Sequence, residues 1–311
     1  MTAFEGLTQE NFQAYTEDKW SSMVHNLTRM KAKDTLSKLV KALVDGHQLK
    51  FNAMVAGSSD EIPNITNGKQ VDAQWFYWYR DKSQRDSLNK ILDRLELSSD
   101  TVFQTSPQDK HIVIGLKLSE TALEVGLFIA PTASVDRRNL RARLEQSWGK
   151  EKAAESCKSH GDGLKLFFHD LEVELSQISD ANLDAITEHL ANDSKETLFI
   201  GRRFLADEAT ESGTQIVETI AALITPLEAL YKFFAWSRDN DSIDVAKEIE
   251  VQKKVQREKA SQHKVGDKVR ITTGLLAGKR GIIESLDGKG KAKVSVGLMS
   301  MQVATTDLVT D

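Results

Sequence analysis

From His263 to Asp311 the chain alternates short β-rich runs with glycine-containing turns, a pattern that admits only small antiparallel strands. Val269 and Ile271 flank Arg270, the period of a half-buried strand. In the next run Ile282, Glu284 and Leu286 share one face, and Ile283 and Ser285 take the other. Asp287-Gly288 then marks a hairpin, because glycine adopts positive φ without steric cost. Lys289, Lys291 and Lys293 alternate with Ala292, Val294 and Val296, so a strand there sets the lysines on the solvent face, roughly 6.5–7 Å apart. The segment holds eight basic and five acidic residues, a net charge of +3, and the remaining 33 basic and 41 acidic residues give −8. Arg270, Lys279 and Arg280 extend the lysine row, which suits a phosphate backbone better than base edges. The plainer alternative is a solubilising face that protects a sheet edge. No aromatic residue lies in this segment, which excludes a base-stacking platform within it.

The glycines and strands of Val265–Val309 resemble the KOW motif found in NusG-type transcription elongation factors and in a ribosomal protein. The resemblance rests on Gly266-Asp267 before the first strand, the Val269-x-Ile271 alternation, Gly274, Gly278, Gly281 and the pair Ile282-Ile283. Where the NusG-type pattern has Phe-Gly-Arg, this chain reads Leu298-Met299-Ser300-Met301. The resemblance implies a small SH3-like β-barrel over 263–311. It also implies a partner among RNA, the ribosome and RNA polymerase-associated proteins; the charge pattern makes Arg270, Lys279, Arg280, Lys289, Lys291 and Lys293 the candidate contact residues.

Upstream, residues 1–236 mix helical and strand patterns without a βαβ rhythm, so the expected class is α+β with a mainly antiparallel sheet. Thr8 caps a short helix to Tyr15, and apolar residues from Trp20 to Leu43 at three- and four-residue steps predict a long helix over Asp18–Val44. Leu49–Val55 is a candidate strand, and Gly57–Gln70 reads as a loop. Five consecutive aromatics, Trp75 to Tyr79, put large apolar area on both faces of a strand. They indicate a central strand covered on both sides, the alternative being a ligand or stacking platform. A helix follows from Ser83 to about Leu97, then a hairpin over His111–Leu118 and Ala122–Ala130. Ser134 to Trp148 reads as a helix with a solvated face bearing Arg137, Arg138, Arg141 and Arg143, paired to Asp136 and Glu145. Leu164–Leu175 alternates, Asn182–Leu190 is helical, Glu196–Phe204 is a strand, and Gly213–Trp236 is a helix broken at Pro226. The order of elements loosely resembles an uncharacterised bacterial α+β family through Phe12, Asp72 with Trp75, Gly201-Arg202, Pro226-Leu227 and Leu230-Tyr231. That family implies no activity. Residues 237–262 carry six acids and six bases, the composition of a helical spacer about 27 Å long.

The sequence contains no GxxxxGK[ST], GxGxxG, HExxH or GxSxG. His160 and His169 lie near Asp162 and Asp170, a sparse basis for metal or acid/base chemistry. Cys157, the lone cysteine, excludes an intramolecular disulfide and reads as a surface thiol in a polar stretch. Arg202 and Arg203 after Gly201 are the candidate anion site of the body. Neither a leader nor an apolar run of spanning length is present, so the expectation is a cytoplasmic, monomeric, two-domain binding protein. No cofactor, metal or membrane contact is expected, and the chain is not expected to be an enzyme.

Overall fold

The computed structural model describes residues 3–94, 106–191, 196–243, 263–272, 276–287, 291–297 and 299–310. It is mixed α+β, and both of its sheets are antiparallel. The chain divides into two compact units, Met1–Ile243 and Asp244–Asp311.

The first unit is built on seven strands: β1 (Met54–Ser58), β2 (Ala73–Arg80), β3 (Val113–Ser119), β4 (Ala122–Ile129), β5 (Lys165–Phe168), β6 (Leu171–Glu174) and β7 (Leu198–Leu205). Their order is β1-β2-β3-β4-β7-β5-β6, which puts β4, buried at every position, in the middle. One face, with Ile114, Leu116, Val125, Leu127, Ile200 and Phe204, joins the main core beneath the helices. The other face carries a second cluster of Tyr77, Tyr79, Val113, Phe128 and Phe199. The aromatic strand β2 therefore contributes to two apolar clusters, Trp78 to the first and Tyr77 and Tyr79 to the second.

The helices are α1 (Gln9–Gln13), α2 (Asn26–Gly46), α3 (Lys82–Arg94), α4 (Pro107–Lys110), α5 (Ser134–Leu144), α6 (Ser147–His160), α7 (Asp180–Ala191), α8 (Ala206–Glu211), α9 (Ile216–Ile224) and α10 (Leu227–Phe234). Thr8 caps α1 as expected. The long helix, however, begins at Asn26 rather than Asp18, after two 3-10 turns at Glu17–Lys19 and Met23–His25. Arg29 explains the delay. Its buried guanidinium donates to the carbonyls of Lys19 at 2.8 Å, Ser22 at 2.7 Å and Glu61 at 2.7 Å, satisfying backbone acceptors outside any helical ladder. Met23, Val24, Leu27 and Met30, expected in the core, are consequently exposed, whereas Leu36, Leu39 and Leu43 are buried.

Other expectations shift for similar local reasons. The first strand is Met54–Ser58 rather than Leu49–Val55, and it takes its position from pairing with β2. Leu164–Leu175 is a hairpin, with His169 at φ +48 in the turn joining β5 to β6. The predicted Ser134–Trp148 helix is two helices, separated at Glu145-Gln146. Two of the four arginines on α5 do not form a solvated face. Arg137 donates to the His189 carbonyl at 3.1 Å, and Arg143 donates to the carbonyls of Phe233 at 2.9 Å and Asn240 at 3.3 Å. Cys157 is fully buried on α6, and burial pushes its thiol up to about 12, so it is not a surface thiol.

Residues 237–243 pack on the first unit. Asn139 donates to the Asn240 carbonyl at 2.9 Å and accepts from the Ser242 N–H at 2.7 Å, carrying this unit past the composition break at Trp236. The helical spacer expected beyond Ile243 lies outside the described residues.

The second unit contains β8 (Lys268–Ile271), β9 (Arg280–Leu286), β10 (Lys291–Val296), β11 (Met299–Ala304) and β12 (Leu308–Thr310), in the order β11-β10-β9-β8-β12. Val269, Ile271, Ile283, Ala292, Val294, Val303 and Leu308 form its own core.

Candidate nucleic-acid interface

The outward face of the second sheet follows from strand period. On β8, Val269 and Ile271 are buried and Lys268 and Arg270 are exposed; on β10, Ala292 and Val294 are buried and Lys291 and Lys293 are exposed. Gly281 lets β9 approach β10, since a Cβ there would lie 2.5 Å from the Val294 side chain and 2.6 Å from the Ser295 carbonyl. Arg280 and Ile282 point outward on either side of it.

The register places these side chains beside one another. Arg270 is directly opposite Arg280, and Lys268 is opposite Ile282, so the basic residues of β8 and β9 sit about 5 Å apart at Cβ. On β10 the register shifts between Lys293 and Val294, where β9 carries one extra residue, Glu284. This bulge changes the face parity of β9. Ile283 and Leu286 both reach the core, while Glu284 and Ser285 face solvent, a departure from strict alternation. Glu284 bonds Lys293 Nζ at 2.9 Å and accepts from Ser300 Oγ at 2.9 Å, and these contacts hold its carboxyl below the usual carboxylate range.

Two glycines of the motif adopt a left-handed backbone. Gly266 at φ +97 donates to the Ile283 carbonyl at 2.8 Å, and Gly278 at φ +82 donates to the Ile271 carbonyl at 2.7 Å. The second turn orients Lys279, which is exposed next to Arg280. Among the predicted contacts, Arg270, Lys279, Arg280, Lys291 and Lys293 are all exposed, and Lys289 and Gly274 lie outside the described residues. Lys268 belongs with them although it was not singled out from the sequence. The Val269-x-Ile271 alternation already carried that signal, because it turns position 268 outward together with 270.

Arg202 and Arg203 do not converge on one anion. Neighbours on a strand point to opposite faces. Arg202 pairs with Glu208 at 2.7 Å over the Phe204 ring, and Arg203 donates twice to Glu124 Oε1, at 3.0 and 2.8 Å. The two histidine neighbourhoods are also separate: His160 bonds the Ser156 carbonyl of its own helix, and His169 bonds Glu196 at 2.7 Å. Among the described residues no group of three or more His, Cys, Asp or Glu is placed to hold a metal ion, and no helix is long and apolar enough to cross a membrane. No protein-family model matches the chain, and no curated protein matches it.

Proposed function

We propose that residues 263–311 form a KOW-type SH3-like barrel that docks on the phosphate backbone of RNA within ribosomal or transcriptional machinery, with the acidic first unit as its partner-binding or regulatory part. The observation that carries this reading is the basic outer face: Lys268, Arg270, Arg280, Lys291 and Lys293 are exposed on three adjacent strands. The pairing of the last strand, β12, beside the first, β8, is the connection a closing barrel requires. A face of cations without aromatic rings recognises backbone charge and not base identity.

Binding of the full chain to a structured ribosomal RNA fragment should fall steeply with salt, roughly a hundredfold or more between 50 and 200 mM, from the release of about four or five counterions. The triple variant Lys268→Glu, Arg270→Glu, Arg280→Glu should abolish it without unfolding the sheet. Salt-independent association, or a variant that binds like the parent, overturns the reading. Exposed Ile282, Met299, Met301 and Val309 favour a second reading, in which this unit receives a protein. Ribosome association that survives both the triple variant and nuclease would select it.

A further inference from the structure

The second face of the seven-stranded sheet contains a register that no part of the RNA reading uses. Gly57, Tyr77, Gly115, Gly126 and Gly201 are successive cross-strand partners, from β1 through β2, β3 and β4 to β7. Added Cβ atoms would collide with neighbouring backbone or with aromatic rings. At Gly57 the obstacle is the Tyr77 ring at 2.7 Å; at Gly126 and Gly201 the Ile200 and Val125 carbonyls lie at 2.2 Å, with the Phe199 ring at 2.7 and 2.6 Å. The glycines thus form a flat floor on which rings pack close to the backbone.

Phe128 stacks on Phe199 with centroids 4.6 Å apart, Phe199 stacks on Phe167 at 5.3 Å, and Trp75 meets Phe128 edge-on at 4.8 Å. These rings line a cavity of about 300 Å³. Trp75 and Phe167, at its two sides, are only half-buried. Over each lies a cation: Lys117 Nζ is 5.4 Å from the Trp75 ring and the Arg203 guanidinium 4.8 Å from the Phe167 ring. Both cations are anchored by Glu124, Lys117 at 3.2 Å and Arg203 through Nε and Nη2 on one oxygen. Arg203 Nη1 takes no part in that pair.

We propose that this cavity binds a small planar aromatic acid, its ring lying over the Phe128–Phe199–Phe167 row and its carboxylate held by Arg203 and Lys117. Glu124 and Glu196 line the same cavity and offset the two cations, which disfavours a polyphosphate relative to a single carboxylate. The volume lies at the lower end of small-ligand sites and admits one or two rings. The proposal is independent of the basic face of the second unit.

Calorimetric titration of the full chain with indole-3-acetate tests it, with indole and cyclohexylacetate as probes lacking one half of the recognition. Saturable one-to-one binding of indole-3-acetate is expected, with each control at least about tenfold weaker. Arg203→Gln should weaken binding about tenfold, while Gln keeps an N–H for Glu124 and Lys117 still neutralises that carboxylate. Phe167→Leu provides a second variant that keeps apolar volume and removes the π-face. Absence of saturable binding up to about 10 mM, equal binding of cyclohexylacetate, or equal affinity in both variants overturns the proposal.

Discussion

Asp136 shows how a residue's role is set by what surrounds it. Its Oδ1 accepts from Arg80 Nη2 at 2.5 Å and from the Trp236 N–H at 2.8 Å, and its Oδ2 accepts from the Ile112 N–H at 3.1 Å. One carboxylate thus joins β2, the entry to β3, α5 and the segment after α10. Arg80 is fully buried; burial pushes its guanidinium down, and the Asp136 carboxylate together with Tyr231 more than offsets this, holding it above its ordinary value. Asp136→Asn removes the counter-charge and leaves Arg80 buried and uncompensated. Denaturant unfolding should register a loss of about 3–5 kcal/mol, and a loss under about 1 kcal/mol would show that the pair is not a determinant of stability. The sequence suggested a different partner for Asp136, the arginines on its own helix. Helical spacing places those neighbours within reach, but a buried charge is decided by which opposite charge is also excluded from water.

At the scale of elements, strands were legible where apolar residues alternate, as in β8 and β10, and where β-rich apolar runs are bounded by turn residues, as in β2, β3 and β4. Helix α6 escaped because its buried positions, Gly149, Ala153 and Cys157, are small. Their four-residue spacing was the available signal, yet small residues barely raise apolar periodicity. Gly149 also explains the separate start of this helix, since a Cβ there would lie 1.9 Å from the Arg143 carbonyl. The glycine row makes the corresponding prediction for the sheet. Gly126→Ala would place a Cβ 2.2 Å from the Ile200 carbonyl and 2.7 Å from the Phe199 ring, so the β4–β7 ladder must shift. The expected cost is about 1–3 kcal/mol by chemical denaturation. Gly46→Ala, at the end of α2 with nothing within 4 Å, is the control and should be neutral or slightly stabilising. Equal effects at the two sites would contradict the packing described for the row.

For the first unit as a whole, pH dependence follows from His111. It is 6% exposed, and burial, with Arg80 nearby, pushes its imidazole down to about 4. The unfolded chain takes up this proton near pH 6.5 and the folded unit only near 4, so stability is complete above 6.5 and declines as pH falls through that window. The contribution lost is about 3 kcal/mol. Unfolding free energies measured between pH 7 and 4 should fall less steeply in His111→Gln than in the parent. Parallel profiles would remove His111 as the cause. The first unit keeps its coherence past Trp236 because Asn139 and Arg143 hold residues 240–242, a long-range tie that a change in local composition does not reveal.

Local patterning alone determined the α+β class, most strands, the capped first helix and the outward direction of the basic residues on β8 and β10, because side-chain period depends only on backbone geometry. Tertiary structure decided what required partners distant in sequence: the late start of α2, the burial of Cys157, Arg137 and Arg143, the bulge at Glu284, and the opposite fates of Arg202 and Arg203. The aromatic cavity belongs to this second group. Its glycines lie on four strands, and only antiparallel register brings them into one row beneath the rings.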